Sequence, residues 1–90
     1  MNNTSEPIIP DIGDIRKNSE EQKRENTRKV ITHLANDIEL ASCAGNMYNM
    51  SSWESLLVHY GNFLIPEIKS AFEKALYTVE CDGETITISW

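Results

Sequence analysis

Few side chains in this 90-residue sequence could perform acid–base or nucleophilic chemistry. The histidines are His33 and His59, and the cysteines are Cys43 and Cys81. Cys43 follows His33 by ten residues, which is too far for a pair on adjacent turns of a helix. Asp37 follows His33 by four residues and could share its helix face, but one such contact does not make a catalytic site.

Motifs for metal, phosphate or redox chemistry are also missing from the sequence. It contains no HExxH, no CxxC and no glycine-rich phosphate loop. We therefore expect a protein that is not an enzyme and that uses no cofactor or metal ion. No signal peptide or membrane-spanning stretch is visible, so we expect a cytoplasmic location with both cysteines as free thiols.

Charge is the most informative property for binding. Residues 15–30 hold six basic and three acidic side chains, a net charge of +3, whereas residues 31–90 sum to −6. This asymmetry indicates either a solvated helix surface or an electrostatic docking surface. Arginine and aromatic side chains dominate binding energies, so basic and aromatic residues are the expected partner contacts. These are Lys23, Arg24, Arg28, Lys29, Tyr48, Trp53 and Trp90.

A long N-terminal helix must carry the basic residues. Ser19 to Gln22 form a capping box, and apolar residues recur at helical spacing from Val30 onward. Gly45 can adopt the left-handed backbone conformation that commonly ends a helix. The sequence thus predicts a helix from about Glu20 to residue 44, whose first turns have no apolar stripe.

The segment before this helix, residues 1–18, is predicted to be a flexible arm because prolines and a glycine interrupt it. It nevertheless contains four isoleucines. They are either incidental to a flexible leader or the means by which the arm docks on its own core or on a partner. They are Ile8, Ile9, Ile12 and Ile15. Residues 19–90 form the single small domain that this length allows.

After a short loop that contains Met47, Tyr48 and Met50, a capping box at residues 51–54 predicts a second helix. Its apolar stripe continues past Gly61 and Pro66. The alternatives are one helix kinked at the proline or two short helices, and the glycine favours the break.

A β-hairpin is predicted at the C-terminus. Asp82 and Gly83 suit a two-residue type I′ turn, which pairs Val79 with Ile86. The resulting apolar face must pack on the helices. It contains Tyr77, Val79, Ile86, Ile88 and Trp90.

The predicted fold class is α+β and mostly helical, with a long N-terminal helix, one kinked or two short helices and a C-terminal hairpin. The expected core consists of Val30, Ile31, Leu34, Ile38, Trp53, Leu56, Leu57, Tyr60, Leu64, Ile68, Ala71, Phe72, Leu76, Val79, Ile86 and Ile88.

Helix, turn, helix and hairpin over residues 52–60, 66–76 and 77–90 resembles the order of a winged helix-turn-helix. The resemblance implies a recognition helix with basic or amide side chains. Here Lys69 and Lys74 are opposed by Glu67 and Glu73, and the hairpin tip is acidic. Phosphate would be repelled, so the same order is better suited to binding protein.

The sequence therefore predicts a small acidic protein-binding module that regulates or inhibits a macromolecular partner, of phage or mobile-element type. Its partner would be another protein, with no membrane involved. The alternatives are a nucleic-acid-associated accessory protein, which uses the basic helix start, and a self-assembling structural component such as a homodimer.

Overall fold

The computed structural model describes residues 7–90 and has the order helix, strand, two helices and two strands. The elements are α1 (Ile12–Cys43), β1 (Tyr48–Ser52), α2 (Trp53–Tyr60), α3 (Ile65–Lys74), β2 (Thr78–Cys81) and β3 (Thr85–Ser89). The predicted α+β, mostly helical class is confirmed, including the long N-terminal helix and the C-terminal hairpin. One strand, β1, was not predicted.

Helix α1 begins at Ile12, whereas the sequence predicted a start near Glu20. Its N-cap is Asp11, whose carboxylate accepts hydrogen bonds from two amides of the first turn at 3.0 and 3.3 Å. Ser19, the predicted cap, lies inside the helix. Aspartate caps a helix about as well as serine does, so Asp11 can cap the helix at a position before Ser19. Residues 12–18, which the sequence placed in an irregular arm, are therefore helical.

The sheet has the strand order β1-β3-β2, with both pairs antiparallel. The C-terminal strand β3 is thus central and paired on both sides. Strand β1 occupies the segment predicted as a loop. Its residues Asn49 and Ser51 lie opposite the buried Ile88 and Ile86. The alternation of apolar and polar residues from Tyr48 to Ser51 is short, and its apolar residues lie on the exposed face while the core-side residues are polar, so it does not resemble a half-buried strand.

The hairpin between β2 and β3 has a longer loop than predicted. Cys81 pairs with Ile86 rather than with Glu84, which shifts the register by two residues. Asp82 explains the shift, because its Oδ1 accepts hydrogen bonds from the amides of Glu84 and Thr85, both at 2.7 Å. A shift of two leaves every side chain on its predicted face.

The second and third helices are separate, as the sequence favoured. Gly61 ends α2 with φ 79° and ψ −165°, a conformation essentially restricted to glycine. Pro66 lies in the first turn of α3, where a proline is tolerated because the amide there has no helical partner. The cap of α2 is Ser52, one residue after the predicted Ser51, and it accepts a hydrogen bond from the Ser55 amide.

The core lies between the helices and one face of the sheet. Within residues 7–90, ten hydrophobic residues are buried, and all were in the predicted core: Val30, Leu34, Ile38, Trp53, Leu56, Ile68, Phe72, Val79, Ile86 and Ile88. Leu57 and Leu76 were wrongly assigned to the core, since both are exposed. Leu76 follows the end of α3 with φ 72°, and this left-handed residue directs its side chain to solvent.

The molecule is elongated. Its principal extents are 69 × 22 × 21 Å, and its radius of gyration is 18.4 Å. A compact domain of this length would have a radius of gyration of about 12 Å. Helix α1 accounts for the difference, because its 32 residues span about 48 Å.

Candidate functional site

The first half of α1, residues 12–25, extends beyond the rest of the molecule, and we call it the projecting half. None of its side chains is buried, and only Lys23 is half-buried. Burial begins in the second half, residues 26–43, which we call the anchored half. Its buried residues are Asn26, Thr27, Val30, Leu34 and Ile38.

Two buried polar side chains fasten α1 to the loop between α2 and α3. Asn26 donates from Nδ2 to the carbonyl of Asn62 at 2.9 Å, and its Oδ1 accepts from Gln22 at 2.9 Å. The hydroxyl of Thr27 accepts from the amide of Leu64 at 2.9 Å and donates to a carbonyl one turn earlier in α1. The anchored half thus begins with hydrogen bonds rather than with apolar contacts.

The isoleucines at the start of the described chain are all exposed. Ile8 and Ile9 precede α1, and Ile12 and Ile15 lie in its first two turns with 64% and 46% of their surface exposed. The interpretation in which these side chains dock on the protein's own core is therefore wrong. Helical spacing places Ile12 and Ile15 in line with Asn26, so they continue the surface that faces the body further along α1.

The four predicted basic contacts all lie on α1. Lys23 and Arg24 belong to the projecting half, and Arg28 and Lys29 lie in the adjoining turns of the anchored half. Arg24, Arg28 and Lys29 are exposed. The Arg28 guanidinium contacts the Glu25 carboxylate at 3.4 Å, but both side chains are at least half exposed. The cluster is therefore accessible from solvent.

The three predicted aromatic contacts differ in accessibility. Tyr48 on β1 is exposed. Trp90 is half-buried, and its ring centroid lies 6.3 Å from that of Tyr77. Trp53 is only 4% exposed, and its indole Nε1 donates to the carbonyl of Asp82 at 3.0 Å. The expectation that Trp53 is an exposed partner contact is therefore wrong, because it lies in the core at the start of α2.

His33 is at the centre of a hydrogen-bonded row. Its Nε2 lies 3.1 Å from the Asp37 carboxylate, the contact that the spacing predicted, and its Nδ1 lies 2.7 Å from the Tyr60 hydroxyl. The carboxylate favours the tautomer with hydrogen on Nε2, so the tyrosine hydroxyl donates to Nδ1. Both ring nitrogens are occupied, and His33 is not free to activate a cysteine. Cys43 and Cys81 are free thiols.

The row lies at a shallow depression of about 460 Å³ on one side of α1. Arg28, Lys29 and Glu25 line it together with the three residues of the row. The depression therefore combines both charge signs at the edge of the basic cluster.

Two groups near the hairpin have shifted pKa values. Partial desolvation raises the pKa of the Cys81 thiol, with Glu73 and Asp82 acting in the same direction and Lys69 opposing them. A raised pKa makes a thiol less reactive, because the thiolate is the nucleophile. The amides of Glu84 and Thr85 lower the pKa of Asp82 by hydrogen bonding to its ionised form. Both shifts arise from local structure at the hairpin.

Within residues 7–90, no group of three or more histidine, cysteine, aspartate or glutamate side chains could hold a metal ion. No helix in the same range is sufficiently long and apolar to cross a membrane.

Sequence reasoning missed Tyr60 and the two fastening residues. Tyr60 follows His33 by 27 residues, and no local pattern indicates that they meet. Asn26 and Thr27 could have been found, because they stand four and three residues before Val30, where the buried stripe of α1 would continue.

Comparisons of this chain with protein-family models, curated proteins and solved structures give no match.

Proposed function

We propose that this chain is a small, non-enzymatic protein-binding module that regulates or inhibits a macromolecular partner by occupying its surface. The observation that carries the proposal is the projecting half of α1, in which no side chain is buried although isoleucines are present. Helices in proteins owe most of their stability to the packing of one apolar face, and the projecting half buries none of its side chains within the described residues 7–90. A partner's surface would supply that packing.

The partner would receive the projecting half as a helix in a groove, a common form of protein recognition. Ile12 and Ile15 would enter an apolar groove with Lys23 on the same side of the helix. Arg24 and Arg28 lie on the opposite side and would contact acidic side chains of the partner outside the groove. The opposite charge of residues 31–90 would orient the approach, since complementary potentials set the rate and direction of encounter.

Affinity capture from the native host tests this proposal. The wild-type chain, the variant I12D/I15D and the matched control V58D/L76D are used as baits, and captured proteins are quantified by mass spectrometry. All four substituted side chains are exposed, so each double variant adds the same charge to an exposed apolar surface. We expect I12D/I15D to lose the partner and V58D/L76D to retain it.

The opposite pattern, or equal capture by both double variants, would contradict the proposal. Once the partner is identified, R24E/R28E/K29E should weaken its affinity by at least about tenfold at low salt, and by less at high salt.

Nucleic acid is the alternative partner that the order of elements suggests. The exposed residues of α3 include Glu67, Glu73 and Lys74, and the loop between β2 and β3 holds Asp82 and Glu84. These acidic side chains disfavour phosphate, so protein remains the proposed partner. A gel-shift experiment at low salt separates the two, and a shift with duplex DNA would favour the alternative.

A further inference from the structure

Strand β1 has one paired edge and one free edge. The Trp90 amide donates to the Met47 carbonyl, and the Trp53 amide donates to the Glu84 carbonyl. The residues of β1 that are hydrogen-bonded to β3 are therefore the odd-numbered ones, Asn49 and Ser51. In an antiparallel ladder the intervening residues direct their main-chain groups the other way. The N–H and C=O groups of Tyr48 and Met50 therefore point away from β3, where residues 7–90 supply no further strand.

The two outer edges of the sheet differ in protection. Proteins usually block a free edge with charged side chains, proline or a covering element. Both outer strands contact helices, β2 with α3 and β1 with α1 and α2, so the difference lies in their own residues, and β2 carries the charged Glu80. Strand β1, with the sequence YNMSS, has no charge, no proline and no glycine. Its edge lacks the usual protection against pairing.

The chain segment that contains β1 is uncharged, although Glu54 and Glu84 line a depression together with Ser52 at the end of the strand. No charged residue occurs between Glu39 and Glu54, the longest such stretch in the chain. Four large hydrophobic side chains within this stretch are exposed, each by more than half: Leu40, Met47, Tyr48 and Met50. An exposed apolar surface beside an unpaired strand edge is typical of an interface.

We infer that the free edge of β1 pairs antiparallel with the same edge of a second copy of this chain, which forms a six-stranded sheet across a twofold axis. With the axis at Met50, each Met50 faces its counterpart and Tyr48 faces Ser52 of the other copy. Tyr48 and Met50 direct both main-chain groups to this edge, whereas the carbonyl of Ser52, the N-cap of α2, accepts the first hydrogen bond of that helix, so about four hydrogen bonds would form across the axis. Met50 and Tyr48 of both copies would cover one another on the outer face of the sheet.

A second copy fits this edge better than a charged peptide does. The strand is neutral, so self-pairing places no like charges opposite each other, and a twofold axis is the commonest symmetry of protein dimers. The net charge of −6 on each copy opposes association, and added salt weakens this repulsion. Ordinary salt concentrations screen that repulsion beyond about 8 Å.

Sedimentation equilibrium of the full chain tests the inference at about 0.15 M and 0.5 M salt, at protein concentrations up to about 1 mM. We expect a dimer of twice the 10.2 kDa chain mass. M50K should raise the dissociation constant at least about tenfold, because two lysines would then face each other across the axis. The matched control T78K adds a lysine at an exposed position of the other edge strand and should leave the dissociation constant unchanged.

Amide hydrogen exchange at low and high protein concentration identifies the surface directly. The amides of Tyr48 and Met50 should exchange more slowly as the dimer forms, whereas those of Val79 and Cys81 at the far edge should not change. Circular dichroism verifies that each variant is folded. A chain that stays monomeric at the highest concentration, or a dimer that leaves the Tyr48 and Met50 amides unprotected, would overturn the inference. Either failure would leave the proposed role of α1 untouched.

Discussion

The two halves of helix α1 share one continuous backbone but have different surroundings. The anchored half, residues 26–43, buries five side chains against the other helices and the sheet. The projecting half, residues 12–25, buries none and exposes Ile12 and Ile15. The anchored half is therefore stabilised by tertiary packing, and the projecting half by local helical interactions.

This difference indicates a division of roles along one helix. The buried side chains of α1 that stabilise the fold all lie in the anchored half, and the exposed side chains proposed to contact a partner lie in the projecting half and in the adjoining turns, at Arg28 and Lys29. Substitutions in α1 should therefore have large effects on the free energy of unfolding only from Asn26 onward.

The largest effect is expected for Leu34→Ala. Leu34 is fully buried, so truncation should lower the free energy of unfolding by about 2–5 kcal/mol through lost burial and a new cavity. Ile12→Ala in the projecting half should change it by less than about 0.5 kcal/mol. Urea denaturation followed by circular dichroism measures both. Similar losses for the two variants would contradict the division.

A smaller effect is expected where the two halves meet. Thr27→Val removes the hydroxyl that accepts from the Leu64 amide and leaves that amide without its partner, at a cost of about 1–3 kcal/mol. Thr32→Val makes the same change at an exposed position of the same helix and should be close to neutral. If Thr27→Val were also neutral in urea denaturation, the hydrogen bonds would not fasten α1 to the loop.

The loop side of the same junction gives a further test. Gly61→Ala would force alanine into a conformation with φ 79° and place its Cβ 3.2 Å from Asn26 Nδ2. We expect a loss of about 1–2 kcal/mol in thermal or urea unfolding. Gly83→Ala is the control, since its Cβ would meet nothing within 4 Å. Equal effects of the two substitutions would show that Gly61 is not constrained.

The smallest effect is expected for Arg28→Ala. This side chain is exposed and its contact with Glu25 is a surface ion pair, so the free energy of unfolding should fall by less than about 0.5 kcal/mol. A loss above about 1 kcal/mol in urea denaturation would mean that the basic cluster serves stability rather than contact with a partner.

Hydrophobic spacing predicted much of the fold. It located the anchored half of α1, the helical segments of α2 and α3 and the apolar face of the hairpin, whereas Gly61 rather than the spacing favoured two short helices over one kinked helix. The hairpin register could not be read from the sequence, because the hydrogen bonds of Asp82 favour a longer loop than the Asp-Gly pair indicates. Strand β1 was missed because Asn49 and Ser51, which lie opposite the buried Ile88 and Ile86, are polar rather than apolar.

The candidate site was less predictable than the fold. The contact between His33 and Asp37 follows from helical spacing, but the Tyr60 hydroxyl reaches His33 only through packing of α2 on α1. The start of α1 was ambiguous because Asp11 and Ser19 are both suitable caps. That ambiguity concealed the main feature of the site, which is a helix that extends beyond the body.

Amide hydrogen exchange along α1 of the free monomeric chain tests the division between its halves most directly. Opening free energies should be near zero for the amides of residues 16–25 and should approach the global free energy of unfolding for residues 30–43. Equal, high protection throughout α1 would contradict the account, because the projecting half would then be stabilised without a partner.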